Sequence, residues 1–138
     1  MVVFIDTSSL IKRYIEEDGS EIIDKYYKNE NEIFISPITP IEFISALKRK
    51  LREKTIDLEN FYRAISEWSK EELSYNIILF NKILVSEAIK LIENEPLKTL
   101  DSLQLASAKL QVLDEFVTSD RKLVQVAAKY LPCKITFI

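Results

Sequence analysis

The chain has 138 residues, 47% of them apolar and 30% charged, the balance of a globular domain that buries roughly two-thirds of its unfolded surface. It has no His, one Cys (Cys133), one Gly (Gly19) and 22 acidic against 19 basic side chains, a net charge of −3. These counts exclude imidazole acid–base catalysis, an internal disulfide or Cys-rich zinc site, and a glycine-rich phosphate loop. Carboxylate is what remains for chemistry.

The chain opens on a short apolar strand, Val2 to Ile5, ended by the helix-start cluster Asp6-Thr7-Ser8-Ser9. Leu10, Ile11, Tyr14 and Ile15 continue at helical spacing, and Gly19-Ser20 restarts the chain into a helix marked by Ile22, Ile23, Tyr26 and Tyr27. Ile33 to Ile35 reads as a second strand. A long helix is expected from about Thr39 to Lys54, with an apolar stripe of Ile41, Ile44, Leu47 and Leu51. Asp57 is placed to cap the next helix, whose face carries Leu58, Phe61, Tyr62, Ile65 and Trp68. Trp68 there is either core or an anchor for a partner.

Ile77 to Phe80 predicts a third strand, and Ile83 to Ile92 a helix stopped near Pro96. Leu100 to Leu113 predicts another helix, Phe116-Val117 a fourth strand, Leu123 to Tyr130 a last helix and Ile135 to Ile138 a last strand. Short strands alternating with helices imply right-handed parallel crossovers, hence an α/β fold in three layers with about five strands. Ligands of such sheets bind at the carboxyl ends of the strands. The longest unbroken apolar run, Met1 to Ile5, is five residues, so neither a membrane span nor a signal-peptide core is expected and the protein is expected in the cytoplasm.

Four acids fall at those carboxyl ends. Asp6 follows the first strand directly, and Asp120 follows Phe116-Val117-Thr118-Ser119. Glu42 lies in the first turns of the helix after the second strand, and Asp101 opens the helix before the fourth. Taken singly, each Asp reads as an ordinary N-cap and Glu42 as a solvated helix residue. Capping does not explain why all four meet the same edge of the sheet. Carboxylates gathered this closely repel, and an all-oxygen set resolves the repulsion by binding Mg²⁺, with Mn²⁺ as substitute, in preference to zinc.

These residues resemble the motifs of a known family. Val3-Phe4-Ile5-Asp6-Thr7-Ser8-Ser9-Leu10 resembles the first motif of PIN domains, and Thr39-Pro40-Ile41-Glu42 the second. Leu100-Asp101-Ser102-Leu103-Gln104-Leu105-Ala106-Ser107-Ala108 resembles the third, and Val117-Thr118-Ser119-Asp120-Arg121-Lys122-Leu123 the fourth. Size and motif style are most similar to the VapC-type toxins of prokaryotic toxin–antitoxin pairs. The resemblance implies one PIN domain over residues 1–138, with a parallel sheet of order 3-2-1-4-5. It implies a metal-dependent endoribonuclease that hydrolyses RNA phosphodiester bonds. Asp6, Glu42, Asp101 and Asp120 would be the catalytic and metal-binding quartet, with Thr7 or Ser8 and Thr118 or Ser119 orienting carboxylates or water. Gln104 stands where many relatives carry His, which bears on substrate contacts. A homodimer and a small antitoxin partner are implied as well. The alternative is a catalytically silent PIN-like module that binds RNA or a protein partner.

The net charge is not the basic footprint usual for RNA binding. Without the quartet, however, 18 acidic residues face 19 basic ones. Lys12, Arg13, Arg49, Arg52 and Arg121, beside Lys48, Lys50, Lys54 and Lys122, are the candidates to rim a cleft and meet RNA phosphates. For the run from Lys48 to Lys54, a solvated helix face is the competing explanation.

Overall fold

The computed structural model describes all residues, 1–138. Five strands, β1 (Val2–Ile5), β2 (Glu32–Ile35), β3 (Asn76–Ile77), β4 (Glu115–Thr118) and β5 (Lys134–Phe137), form one sheet. Their order is β3-β2-β1-β4-β5 and every pairing is parallel. The helices are α1 (Thr7–Leu10), which runs into a 3-10 turn at Ile11–Arg13, then α2 (Ser20–Lys28), α3 (Thr39–Arg52), α4 (Leu58–Glu71), α5 (Lys82–Asn94), α6 (Thr99–Lys109) and α7 (Arg121–Tyr130). The three-layer α/β/α architecture and strand order match the expectation.

The two-residue period of the strands divides the interior into two cores. Val3, Ile5, Ile33, Ile35 and Val117 face one side, where they pack against Leu10, Ile23, Phe43, Leu47, Phe61 and Trp68 from α1 to α4. Phe4 and Phe116 face the other, against Leu84, Leu91, Leu105, Leu123 and Ala127 from α5, α6 and α7. On the first side Trp68 stacks on Phe43 at 4.7 Å and on Tyr75 at 5.4 Å, with Tyr14 edge-on to both Phe43 and Trp68. Trp68 is therefore core, not an anchor for a partner, while its helix neighbour Tyr62 is exposed.

Three local expectations change. The buried line of α3 is Thr39, Phe43 and Leu47, and Ile41 is 74% exposed. Phe43 takes the inward position because it completes the aromatic stack; this turns Ile41 and Ile44 toward the surface. The third strand begins at Asn76 and ends at Ile77, because Leu79 and Phe80 leave the sheet edge for the turn in which Asn81 caps α5 through Leu84 N at 3.0 Å. Helix α6 ends at Lys109, four residues before Leu113. Asp57 caps α4 as expected, accepting from Asn60 N at 2.7 Å. Gly19 precedes α2 at φ +93, a left-handed conformation, and a Cβ there would collide with Ile138 Cγ2. No helix is long and apolar enough to cross a membrane.

The chain runs β1, β2, β3 toward one edge and returns to lay β4 on the other side of β1. The reversal falls between β1 and β4, at whose carboxyl ends a crevice opens. Asp6 N bonds Val117 O at 2.9 Å across this point.

Candidate active site

Asp6 is the first residue past β1 and is 5% exposed. It occupies the N-cap position of α1 but makes no cap bond. Its Oδ2 accepts instead from Ser8 Oγ at 2.5 Å and from Thr118 Oγ1 at 2.8 Å. Asp101 is likewise no cap: it is the third residue of α6, which begins after Lys98. Asp120 alone caps, its Oδ1 accepting from Lys122 N at 2.8 Å and Leu123 N at 3.2 Å. The ordinary explanation for acids at helix starts thus accounts for one of three.

Glu42, in the first turn of α3, accepts at Oε1 from Gln104 Nε2 at 2.6 Å and Thr7 Oγ1 at 3.0 Å. Gln104 lies one turn past Asp101 on α6, 1% exposed, and its Nε2 also reaches Thr7 Oγ1 at 2.8 Å. This amide ties β1's exit, α3 and α6 together beneath the crevice. Its Oε1 is buried with no hydrogen-bond partner. Gln104 was expected to bear on substrate contacts; its burial places it under Glu42 instead. The signal for that role is its i+3 spacing from Asp101 on a helix face shared with Leu105 and Ala108.

The acids perturb one another. Burial, the largest effect, pushes the Asp6 carboxyl up to about 6, against the lowering bonds from Ser8 and Thr118, and the charges of Glu42 and Asp101 push it further. Burial raises Glu42 too, opposed by Gln104 and Thr7 and reinforced by Asp101. Asp101 is raised by burial and then by Asp120, with Lys98 and Lys122 opposing. Asp6, Glu42 and Asp101 are thus each raised by burial and by a neighbouring carboxylate, and none of the four acids is held in an ion pair.

Glu42, Asp101 and Asp120 line a cavity of about 620 Å³ with Thr7, Ser8 and Ser119; Asp6 is buried and does not line it, but accepts from the lining residue Ser8. As the side chains stand, no three of them form a group that could hold an ion. Asp6, Glu42 and Asp120 each turn one oxygen to the protein, while Asp6 Oδ1, Glu42 Oε2, Asp120 Oδ2 and both oxygens of Asp101 accept no protein bond. In chemistry, though not in the present side-chain geometry, this donor set suits a divalent cation: hard oxygens only, with at least one oxygen per residue uncommitted.

Among the neighbouring polar groups, Thr7 bonds Glu42, and Ser8 and Thr118 bond Asp6. The Ser119 hydroxyl pairs with Ser9 at 2.8 Å rather than with a carboxylate. The basic candidates divide. Arg49 lines the cavity with no ion-pair partner, and Lys12 lines it tied to Glu17 and to Asp18 O. Arg13 lies away from it, held by Glu71 and Asp24 at 2.8 Å each and stacked over Tyr27. Arg121 lies over Phe137 beside Asp120, and exposed Arg52 does not line the cavity.

A five-stranded parallel sheet of order 3-2-1-4-5 between helical layers is the fold expected of a PIN domain. The PIN domain family model matches residues 3–129, and the chain belongs to that family. Its fold is similar to that of PAE2754 from Pyrobaculum aerophilum, with 21% identity, a TM-score of 0.69, and 91% of this chain and 84% of that one covered. It is also similar to VapBC2 from Rickettsia felis bound to a DNA fragment from their promoter, with 17% identity, a TM-score of 0.66, and coverage of 100% and 99%. A toxin–antitoxin complex from Klebsiella pneumoniae shows 22% identity, a TM-score of 0.64, and coverage of 87% and 88%. No curated protein matches the chain.

Proposed function

We propose that this PIN domain, residues 1–138, is a metal-dependent endoribonuclease and the toxin of a toxin–antitoxin pair. The observation that supports the reading is that Glu42, Asp101 and Asp120 line one cavity and Asp6 bonds its lining residue Ser8, with Asp6 and Asp101 spared from helix capping. These four carboxylates would hold Mg²⁺, or Mn²⁺ in its place, which when bound would supply an activated water and charge stabilisation at the scissile phosphate.

The chain's own residues have separable tasks. Ser8 and Thr118 fix one oxygen of Asp6 and leave Oδ1 for the ion. Gln104 and Thr7 hold Glu42 by one oxygen in the same way. The Asp120 backbone N bonds Thr118 Oγ1 at 3.0 Å, which ties the start of α7 to the hydroxyl that orients Asp6. In-line attack by water would leave a 5′-phosphate and a 3′-hydroxyl, and the lack of any imidazole in the chain argues the same way. Arg49, free at the cavity wall, meets the RNA backbone.

The toxin role is supported by the fold's likeness to a structure described as a toxin–antitoxin complex. The homodimer is supported by an exposed apolar face at the sheet edge, where Phe80, Val85 and Ile89 line a separate cavity of about 570 Å³. Cleavage of defined RNAs with and without Mn²⁺, comparing wild type with Asp6→Asn, tests the reading. Cleavage by wild type only, abolished by EDTA, is the expected result. A protein that binds RNA without cutting it under any metal condition would instead be the silent module.

A further inference from the structure

At the end of the cavity away from the acids, Glu17 stands between two lysines. Its Oε2 meets Lys50 Nζ at 2.7 Å and its Oε1 meets Lys12 Nζ at 3.4 Å. Lys12 is further fixed by donating to Asp18 O at 2.7 Å, and its side chain is only 12% exposed. All three residues line the cavity that Glu42 and Asp101 share. Lys50 lies eight residues beyond Glu42 on α3, which at 1.5 Å per residue is roughly 12 Å along the helix axis. Unpaired Arg49 lies beside it on the same wall.

Two ammonium groups around one carboxylate leave a local charge of +1, and the carboxylate's two oxygens take the places that two non-bridging oxygens of a phosphodiester would take. The ion pairs are partly exposed, so little stability depends on them. The lysines are held ready while the carboxylate is exchangeable.

We infer that Lys12 and Lys50 form a second phosphate-binding subsite, for a backbone phosphate neighbouring the scissile one, and that Glu17 occupies this subsite in the free protein and is displaced by the RNA. The inference rests on the ribonuclease reading of the acidic site and adds to it a direction: the RNA runs along α3 from the acids toward Lys50. Glu17 sets the affinity by competing with the substrate's own charge.

The test is equilibrium binding of a defined single-stranded RNA to the full chain in EDTA, where cleavage is blocked, across a salt series. Glu17→Gln is expected to bind about three- to tenfold tighter than wild type at low salt, with a log–log salt slope steeper by about 0.7, the increment for one further phosphate contact. Glu16→Gln removes the same charge from an exposed neighbour outside the cluster and is expected to change affinity less than about twofold. Lys50→Gln is expected to weaken binding and, combined with Glu17→Gln, to cancel the gain. If wild type binds and Glu17→Gln is no tighter, or Glu16→Gln matches it, the subsite is wrong while the ribonuclease reading stands. If neither wild type nor Glu17→Gln binds RNA in EDTA, the subsite is wrong, while the ribonuclease reading is decided separately by the cleavage assay with Mn²⁺.

Discussion

Substituting Asp6 by Asn should stabilise the metal-free protein at neutral pH. Asp6 is buried, and its carboxyl rises from 3.8 to about 6, first through burial and then through the charges of Glu42 and Asp101. A shift of roughly two units at about 1.4 kcal/mol each puts the cost of keeping it ionised near 3 kcal/mol, as an order of magnitude. Because the folded-state value is the higher one, the folded protein binds more protons than the unfolded chain between about pH 4 and pH 6. Stability therefore falls as pH rises through that window, and the whole cost is present above it. Asn is neutral, nearly isosteric, and accepts from Ser8 and Thr118 through its single carbonyl oxygen. Urea unfolding in EDTA should find Asp6→Asn more stable than wild type by about 2–3 kcal/mol at pH 7, with the difference gone near pH 4. Added Mn²⁺ should reverse the order, stabilising wild type by about 2.7 kcal/mol at a hundredfold excess over Kd and the variant far less. A variant no more stable than wild type at pH 7, or equally favoured at pH 4, would refute the electrostatic reasoning.

Gln104→Leu keeps the volume but removes the donor to Glu42, Thr7 and Thr39; it should cost about 1.5–3 kcal/mol in urea unfolding and slow RNA cleavage as well. Burial pushes Glu115 up, but bonds from Thr136, Lys134 and Tyr26 outweigh it and hold the carboxyl below the usual range. The stability Glu115 contributes is thus complete above the ordinary Glu range and lost as pH falls below it, so Glu115→Gln should flatten the acid limb of a pH-dependent unfolding series. Trp68→Ala removes the centre of the stack with Phe43, Tyr14 and Tyr75 and should destabilise by about 3–5 kcal/mol in the same assay.

The strands are legible because short apolar runs bounded by turn and capping residues are local properties, and the order follows from the family resemblance. Less legible was which way a helix turns. Ile41, Ile44 and Phe43 are all apolar, and only the partners Trp68 and Tyr14, distant in sequence, decide that Phe43 goes in and Ile41 out. The meeting of Glu42 with Asp101 depends on how two helices approach one sheet end, yet the acids' position relative to strand ends carried that information. Whether a cation is free is not local at all. Arg13 and Arg49 read alike in sequence, but Glu71 and Asp24 consume the first and nothing pairs with the second. Gln104 was visible as a departure from His, but its burial beneath Glu42 was not.

The most direct test is the anomalous scattering of a crystal of this protein soaked in Mn²⁺. The account requires a peak bounded by oxygens of Asp6, Glu42, Asp101 and Asp120 at about 2.0–2.2 Å, the distance of a hard divalent ion to carboxylate oxygen. A peak elsewhere, or none at a Mn²⁺ concentration that supports RNA cleavage, would contradict it.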